Sequence, residues 1–223
     1  MKKIAVVGAY GAGKTSLIHA FSQLDRFGLM PAVRGTPMRD PAGSTPRPLE
    51  EATEAQLVQL VTRRYVERAV GEAVQPDGFL SDGSLLHEWV YATVRLAVGM
   101  HPEAEARPVM ERGGSARRSQ SRGAVYAEVL EEIGHEIRKR ALATYDAFVH
   151  LPVEFPLNDP VRPISEHFRV LSDQLLLEEL HSSGATVHTL SGPLEKRLTG
   201  LADIVGYPVA AVSLTGYLPS SAS

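Results

Sequence analysis

Residues 8–15 read Gly8-Ala9-Tyr10-Gly11-Ala12-Gly13-Lys14-Thr15, which matches the phosphate-loop pattern G-x-x-x-x-G-K-[ST]. The flanks supply the context this pattern needs. Lys3-Ile4-Ala5-Val6-Val7 is a short apolar run that reads as a buried strand, and Ser16-Leu17-Ile18-His19-Ala20-Phe21 opens a helical pattern directly after the loop. Glycines let a backbone close around oxygens without Cβ clashes, and the helix N-terminus adds partial positive charge. The loop residues Gly8, Tyr10, Gly11, Ala12, Gly13, Lys14, Thr15 and Ser16 are therefore expected to hold a nucleoside triphosphate. In that arrangement Lys14 reaches the β- and γ-phosphates and the Thr15 hydroxyl faces Mg²⁺.

The surrounding 223 residues suit one soluble domain with a proper core, since 43% are hydrophobic and 22% charged. A net charge of −3 gives no basic footprint for nucleic acid. With no cysteine there is no disulfide, thiolate nucleophile or cysteine-ligated metal. The eight histidines show no zinc-ligand spacing, and the His-Glu pairs at 87–88 and 135–136 do not extend to H-E-x-x-H. No run approaches the ~18 apolar residues of a membrane span, and the N-terminus lacks a signal-like core, so a cytoplasmic location is expected.

Strand-like and helix-like segments alternate along the chain. This predicts an α/β P-loop NTPase fold with helices on both faces of a parallel sheet of about five strands, the phosphate-loop strand in the middle. After the first βα unit, residues 28–33 read as a second strand. Arg34 to Pro48 carries four prolines and two glycines and reads as a loop. Residues 49–74 and 85–98 are helical in spacing, separated by a third strand at 78–82. His101 to Gly123 breaks the pattern with five arginines and Gly113-Gly114. A solvated loop is the plainer reading, and a mobile cationic flap the sharper one. A long helix is expected over 124–143, a fourth strand over 147–153, a polar lid over 157–170 and a helix over 170–181. Gly184 should cap that helix, ahead of a fifth strand at 186–190 and a last helix over 194–205. The domain is placed at 1–216, with 217–223 a frayed tail.

A phosphate loop names the ligand class and not the reaction. No N-K-x-D guanine motif occurs. The D-x-x-G matches at Asp25 and Asp40 do not follow the apolar strand that delivers such an aspartate to Mg²⁺. No long apolar run ends in Asp-Glu as in motors. Elimination favours a kinase.

The strand end Phe79-Leu80-Ser81-Asp82-Gly83-Ser84, followed by a helix containing Tyr91, resembles the D-R-[SG] strand end of nucleoside- and nucleotide-kinase-like proteins. Tyr145-Asp146-Ala147-Phe148-Val149 leading to Asn158-Asp159-Pro160-Val161-Arg162 is similar to the strand and D-G-x-R lid of the ribosylnicotinamide-kinase-like AAA family. Ser191 to Arg197 resembles that family's G-x-x-x-x-R turn near the nucleotide base. Gly83 stands where the family carries Arg, and Pro160 where its lid carries Gly. The resemblance implies a P-loop small-molecule kinase using ATP, with GTP an open alternative, and Mg²⁺.

Phosphoryl transfer needs alignment and charge neutralisation more than covalent help. Asp82, at a strand end beside the loop, is placed to hold Mg²⁺ with Thr15 or to accept the proton of the acceptor hydroxyl. Asp40 is the alternative base. Arg162 and Arg169, seven apart around a helix start, are lid candidates for the γ-phosphate. Arg197 is a candidate for stacking on the base. Acceptor contacts are expected among Arg34, Arg39, Asp40, Asp82, His87, Glu88, Trp89 and Tyr91, at the carboxyl ends of the second and third strands. The plainer readings are surface arginines, a proline-flanked loop aspartate and a core tryptophan. The implied partners are a nucleotide and a small hydroxylated acceptor (nucleoside, nucleotide or sugar-like), with a homodimer among the options. The other class of reading is a regulatory nucleotide-binding protein without an acceptor.

Overall fold

A computed structural model describes residues 1–25, 30–35, 52–99, 116–157 and 164–207, with backbone alone for 116–124. Eleven elements follow the predicted alternation: β1 (Lys3–Val7), α1 (Lys14–Leu24), β2 (Ala32–Arg34), α2 (Glu54–Ala73), β3 (Phe79–Asp82), α3 (Leu85–Val98), α4 (Ala116–Thr144), β4 (Ala147–His150), α5 (Glu166–Ser182), β5 (Val187–Thr189) and α6 (Leu194–Val205). The strands pair in parallel in the order β2-β3-β1-β4-β5, so the phosphate-loop strand is central, as expected.

The sheet is sided by the alternation of side chains along each strand. In β1, Ala5 and Val7 join one core cluster with Phe79, Trp89, Phe148 and Phe168, while Ile4 and Val6 join the other with Leu17, Phe21, Leu80 and Leu201. Helices α2 to α5 therefore cover one face, and α1 and α6 the other. Each fully buried Phe or Leu of this kind contributes roughly 2–3 kcal/mol. Local signals set the helix starts. Thr53 and Gln56 form a reciprocal capping box at α2. The Ser165 hydroxyl accepts from Phe168 N–H at α5. Gly184, just past α5, has φ +70°, the left-handed conformation of a helix terminator.

Several boundaries differ from expectation. β2 is Ala32–Arg34 rather than 28–33, so Arg34 belongs to the strand and not to the loop; α2 starts at Glu54 rather than 49, and β4 ends at His150 rather than 153. Helix α4 begins at Ala116 rather than 124, so residues 116–123 are its first turns and not a flap. Arginine, alanine and glutamine are good helix formers, and the Gly113-Gly114-Ser115 breaker lies just ahead of them. Helix α5 begins at Glu166, inside the expected lid. Its polar first turn reads as loop in the sequence because a helix start is itself polar. Residues 100–115, the rest of the expected lid at 158–163, and the tail lie outside the described residues, as do Arg39, Asp40 and Arg162. No described helix is long and apolar enough to cross a membrane.

Candidate active site

The β3-to-β4 connection passes over β1, so the carboxyl end of β1 sits where the chain departs in both directions along the sheet. Such a point opens a crevice for ligands. The loop leaves β1 there. Gly8 has φ +135°, and a Cβ on it would overlap the Leu151 carbonyl oxygen. Gly13, at φ +94°, is the N-cap of α1. No side chain caps that helix and no acidic residue occupies its first turn, so its amides are left for an anion. Gly11, Thr15 and Ser16 are exposed, which keeps the mouth of the loop open.

Side chains from three helices hold the loop from behind. His87 on α3 contacts the Gly8 carbonyl through Nε2 at 3.0 Å. Its Nδ1 accepts from Ser84 N–H at 3.0 Å, so Nε2 carries the proton and donates. Burial and the neighbouring Lys14 charge push the His87 pKa well below its ordinary value, so the ring is neutral. Asp173 on α5 accepts from Ala9 N–H at 3.1 Å and bonds His150 Nε2 at 3.0 Å. Arg169, also on α5, donates from Nε to the Tyr10 carbonyl at 2.8 Å. Arg197 on α6 donates from Nη1 to the Ala12 carbonyl at 2.7 Å. Four of the five residues from Gly8 to Ala12 are thus fixed by a side chain from elsewhere, and three of those bonds engage carbonyls.

Lys14 Nζ donates to the Gly8 and Ala9 carbonyls at 2.8 and 2.7 Å. Burial lowers its pKa to about 8, with Asp82 and Asp173 opposing the shift. The Thr15 hydroxyl donates to Asp82 Oδ2 at 2.7 Å. Register explains this approach, since Val6 pairs with Asp82 and Gly83 N–H donates to the Val6 carbonyl at 2.9 Å. A hydroxyl and a carboxylate are hard oxygen donors of the kind Mg²⁺ takes. Among the described residues no cluster of three or more His, Cys, Asp or Glu is arranged to hold a metal. An Mg²⁺ at Thr15 and Asp82 would therefore draw its other ligands from phosphate and water.

Three of the sequence-predicted residues have other duties. Arg197 does not lie open to stack on a base; it is buried, pinning Ala12 and pairing with Glu154 at 2.6 Å. Arg169 is 1% exposed and tied to Tyr10, Phe155 and Glu166, so it is part of the loop's support and not of a moving lid. Trp89 is 3% exposed, with the Arg138 guanidinium 4.7 Å from its ring, because α4 closes over that side of α3. It is core and not an acceptor platform.

Other acceptor candidates gather near Asp82. Arg34 ends β2 exposed and in register with Asp82. Tyr91 packs its ring against His87 and Phe168, and burial raises its hydroxyl pKa. Glu88 is engaged by two arginines of α2, Arg64 and Arg68. Arg68 also reaches Ser81 at 2.9 Å and lies 3.2 Å from where a Gly83 Cβ would stand. Gly83 has φ +89°, so this turn strains any L side chain, including the arginine of the resembled motif.

A family profile described as an AAA domain matches residues 3–197. The chain belongs to this AAA domain family. No curated protein sequence matches it. Among solved structures, the chain is similar to deoxyadenosine kinase from M. mycoides with products dCMP and a flexible dCDP bound, at 12% identity and TM-score 0.60, covering 92% of this chain and 98% of that one. The same kinase with bound dATP aligns at 11% identity and TM-score 0.52, over 92% and 99% of the two chains. The NadR protein in complex with NR aligns at 14% identity and TM-score 0.54; all of this chain matches 53% of that one. These likenesses show that the chain shares the α/β fold of those proteins.

Within this AAA domain, Asp173, His150 and Glu154 went unnoticed in the sequence. Asp173 and Glu154 reach backbone amides, and neither belongs to a recognisable spacing. A His inside an otherwise apolar predicted strand, as at His150, is the nearest thing to a signal.

Proposed function

We propose that this protein is an ATP- and Mg²⁺-dependent kinase that transfers the γ-phosphoryl group to a hydroxyl of a small metabolite, with a nucleoside, nucleotide or sugar-like acceptor. The observation that carries the reading is the Thr15–Asp82 contact beside a loop whose helix-start amides have no side-chain cap. The loop amides and Lys14 bind the polyphosphate. When the triphosphate enters, its oxygens take over the Lys14 ammonium from the Gly8 and Ala9 carbonyls. Thr15 and Asp82 would hold Mg²⁺, which would supply charge neutralisation to the polyphosphate. The rigid support behind Gly8 to Ala12 keeps the cradle in its binding geometry and so limits reorganisation during transfer. The acceptor lies towards β2 and β3, near Arg34, Asp82 and Tyr91, where Asp82 or Asp40 takes the hydroxyl proton. Arg162, from the lid, and Arg39 complete the charge neutralisation on the two sides.

The test is ADP release with and without a pool of cell metabolites, followed by mass spectrometry of the phosphorylated product. A kinase releases ADP in an acceptor-dependent way, and Lys14→Ala abolishes it while leaving the fold intact. Slow hydrolysis indifferent to metabolites would overturn this reading in favour of a nucleotide-dependent regulatory protein.

A further inference from the structure

One aromatic ring beside the loop stands out in solvent. Phe155 is 49% exposed, although the other phenylalanines and the tryptophan of the described residues are buried. Leaving that much apolar surface in water is unfavourable, yet the backbone around it is firmly held. Glu154 accepts from Gly192 N–H at 2.9 Å and from Arg197 Nη2 at 2.6 Å. The Phe155 carbonyl accepts from Arg169 Nη2 at 3.1 Å, and Leu157 N–H donates to Glu166 at 2.8 Å. The Arg197 guanidinium lies over the ring, 5.3 Å from its centroid.

Arg169 and Arg197 are the same two side chains that hold the Tyr10 and Ala12 carbonyls of the loop. One pair of guanidinium groups therefore fixes the ring and the phosphate cradle relative to each other. The direction of a bound triphosphate follows from the sheet. Thr15 and Asp82, the oxygens assigned to the metal, mark the β3 side of β1 as the place for the terminal phosphates. Phe155 follows β4, on the opposite side of β1, where the nucleoside end must emerge.

We infer that Phe155 is the platform on which the nucleobase of the donor stacks, backed by Arg197 on its other face. This deepens the kinase reading and rests on its assignment of the loop as the triphosphate site. A phenyl ring offers no hydrogen bond, and stacking tolerates every base because each has a π-face. The platform thus favours a nucleoside triphosphate over a bare polyphosphate and distinguishes little between ATP and GTP.

The experiment is equilibrium binding of ATP, GTP and inorganic tripolyphosphate to the full chain in Mg²⁺ buffer. Phe155→Ala, at an exposed position, is expected to weaken ATP and GTP by roughly tenfold or more and to leave tripolyphosphate within about twofold. Phe155→Trp should restore nucleotide binding. Unchanged ATP affinity in Phe155→Ala overturns the inference, and so does an equal loss for ATP and tripolyphosphate, which would make the ring a support for the loop. Lys14→Ala separates the two readings. It should lose all three ligands, so loss there combined with no effect at Phe155 retains the loop assignment and rejects the platform. Wild-type protein that binds none of the three rejects both.

Discussion

The Thr15 hydroxyl and the Asp82 carboxylate, 67 positions apart in sequence, meet at 2.7 Å across the ends of β1 and β3. The contact joins the first turn of α1 to the strand beside the loop, and it presents two oxygens at the rim of the anion cradle. Asp82→Asn keeps the shape and removes the charge. Its expected result is a fall of about 10²-fold or more in turnover, with a raised Mg²⁺ requirement. Thermal stability should change little. Steady-state kinetics across a Mg²⁺ titration checks it, and turnover within twofold of wild type would exclude Asp82 from the chemistry.

Lys14 gives a pH signature. Its pKa is about 8 in the fold against 10.5 in the unfolded chain. Between those values the unfolded chain binds the extra proton, so stability rises with pH through that window. Below pH 8 both states are protonated and the cost of burying the charge is borne in full. Denaturant unfolding of wild type and Lys14→Met at pH 7.5 and 10 should show a steeper gain for the wild type. A triphosphate restores the charged form, so its binding near pH 8.5 should take up protons in calorimetry with buffers of different ionisation enthalpy.

Gly134 on α4 tests the packing above Trp89. A Cβ at that position would overlap the Trp89 indole. Replacing a helical glycine by alanine ordinarily gains up to about 1 kcal/mol, but overpacking costs about 1–3 kcal/mol. Overpacking wins, so Gly134→Ala is expected to lower Tm. A raised Tm would show that α4 can move off Trp89.

Arg169 supports the loop through the Tyr10 and Phe155 carbonyls. Arg169→Ala leaves these half-buried acceptors without it, at about 1 kcal/mol each, and should weaken nucleotide binding as the loop loosens. Arg169→Lys should rescue poorly, because a single ammonium does not reproduce the planar fork that reaches both carbonyls. Full rescue by lysine would mean that charge, and not geometry, is what the loop needs.

Much of the fold was legible because its signals are local. β1, the loop and α1 announce themselves within 24 residues, and α3 and α6 start and stop where their apolar spacing does. The starts of α4 and α5 were misplaced because Arg, Ser and Pro content reads as loop when a helix N-terminus is itself polar. Whether Trp89, Arg169 and Arg197 are covered is not legible, because nothing in a sequence says which neighbour will cover a side chain. Arg169 in particular is buried as a guanidinium, which the Glu166 carboxylate and the Tyr10 and Phe155 carbonyls make tolerable.

The sequence alone determined that this chain has a phosphate cradle on a central strand of a parallel sheet, since a glycine-rich turn between an apolar strand and a helix has few other solutions. Tertiary structure decided how the cradle is held. His87, Asp173, Arg169 and Arg197 come from three different helices and act on Gly8, Ala9, Tyr10 and Ala12 through single hydrogen bonds. Bonds between residues 79 to 185 positions apart leave no periodicity behind. They exist only once the sheet has set which helix ends surround the loop.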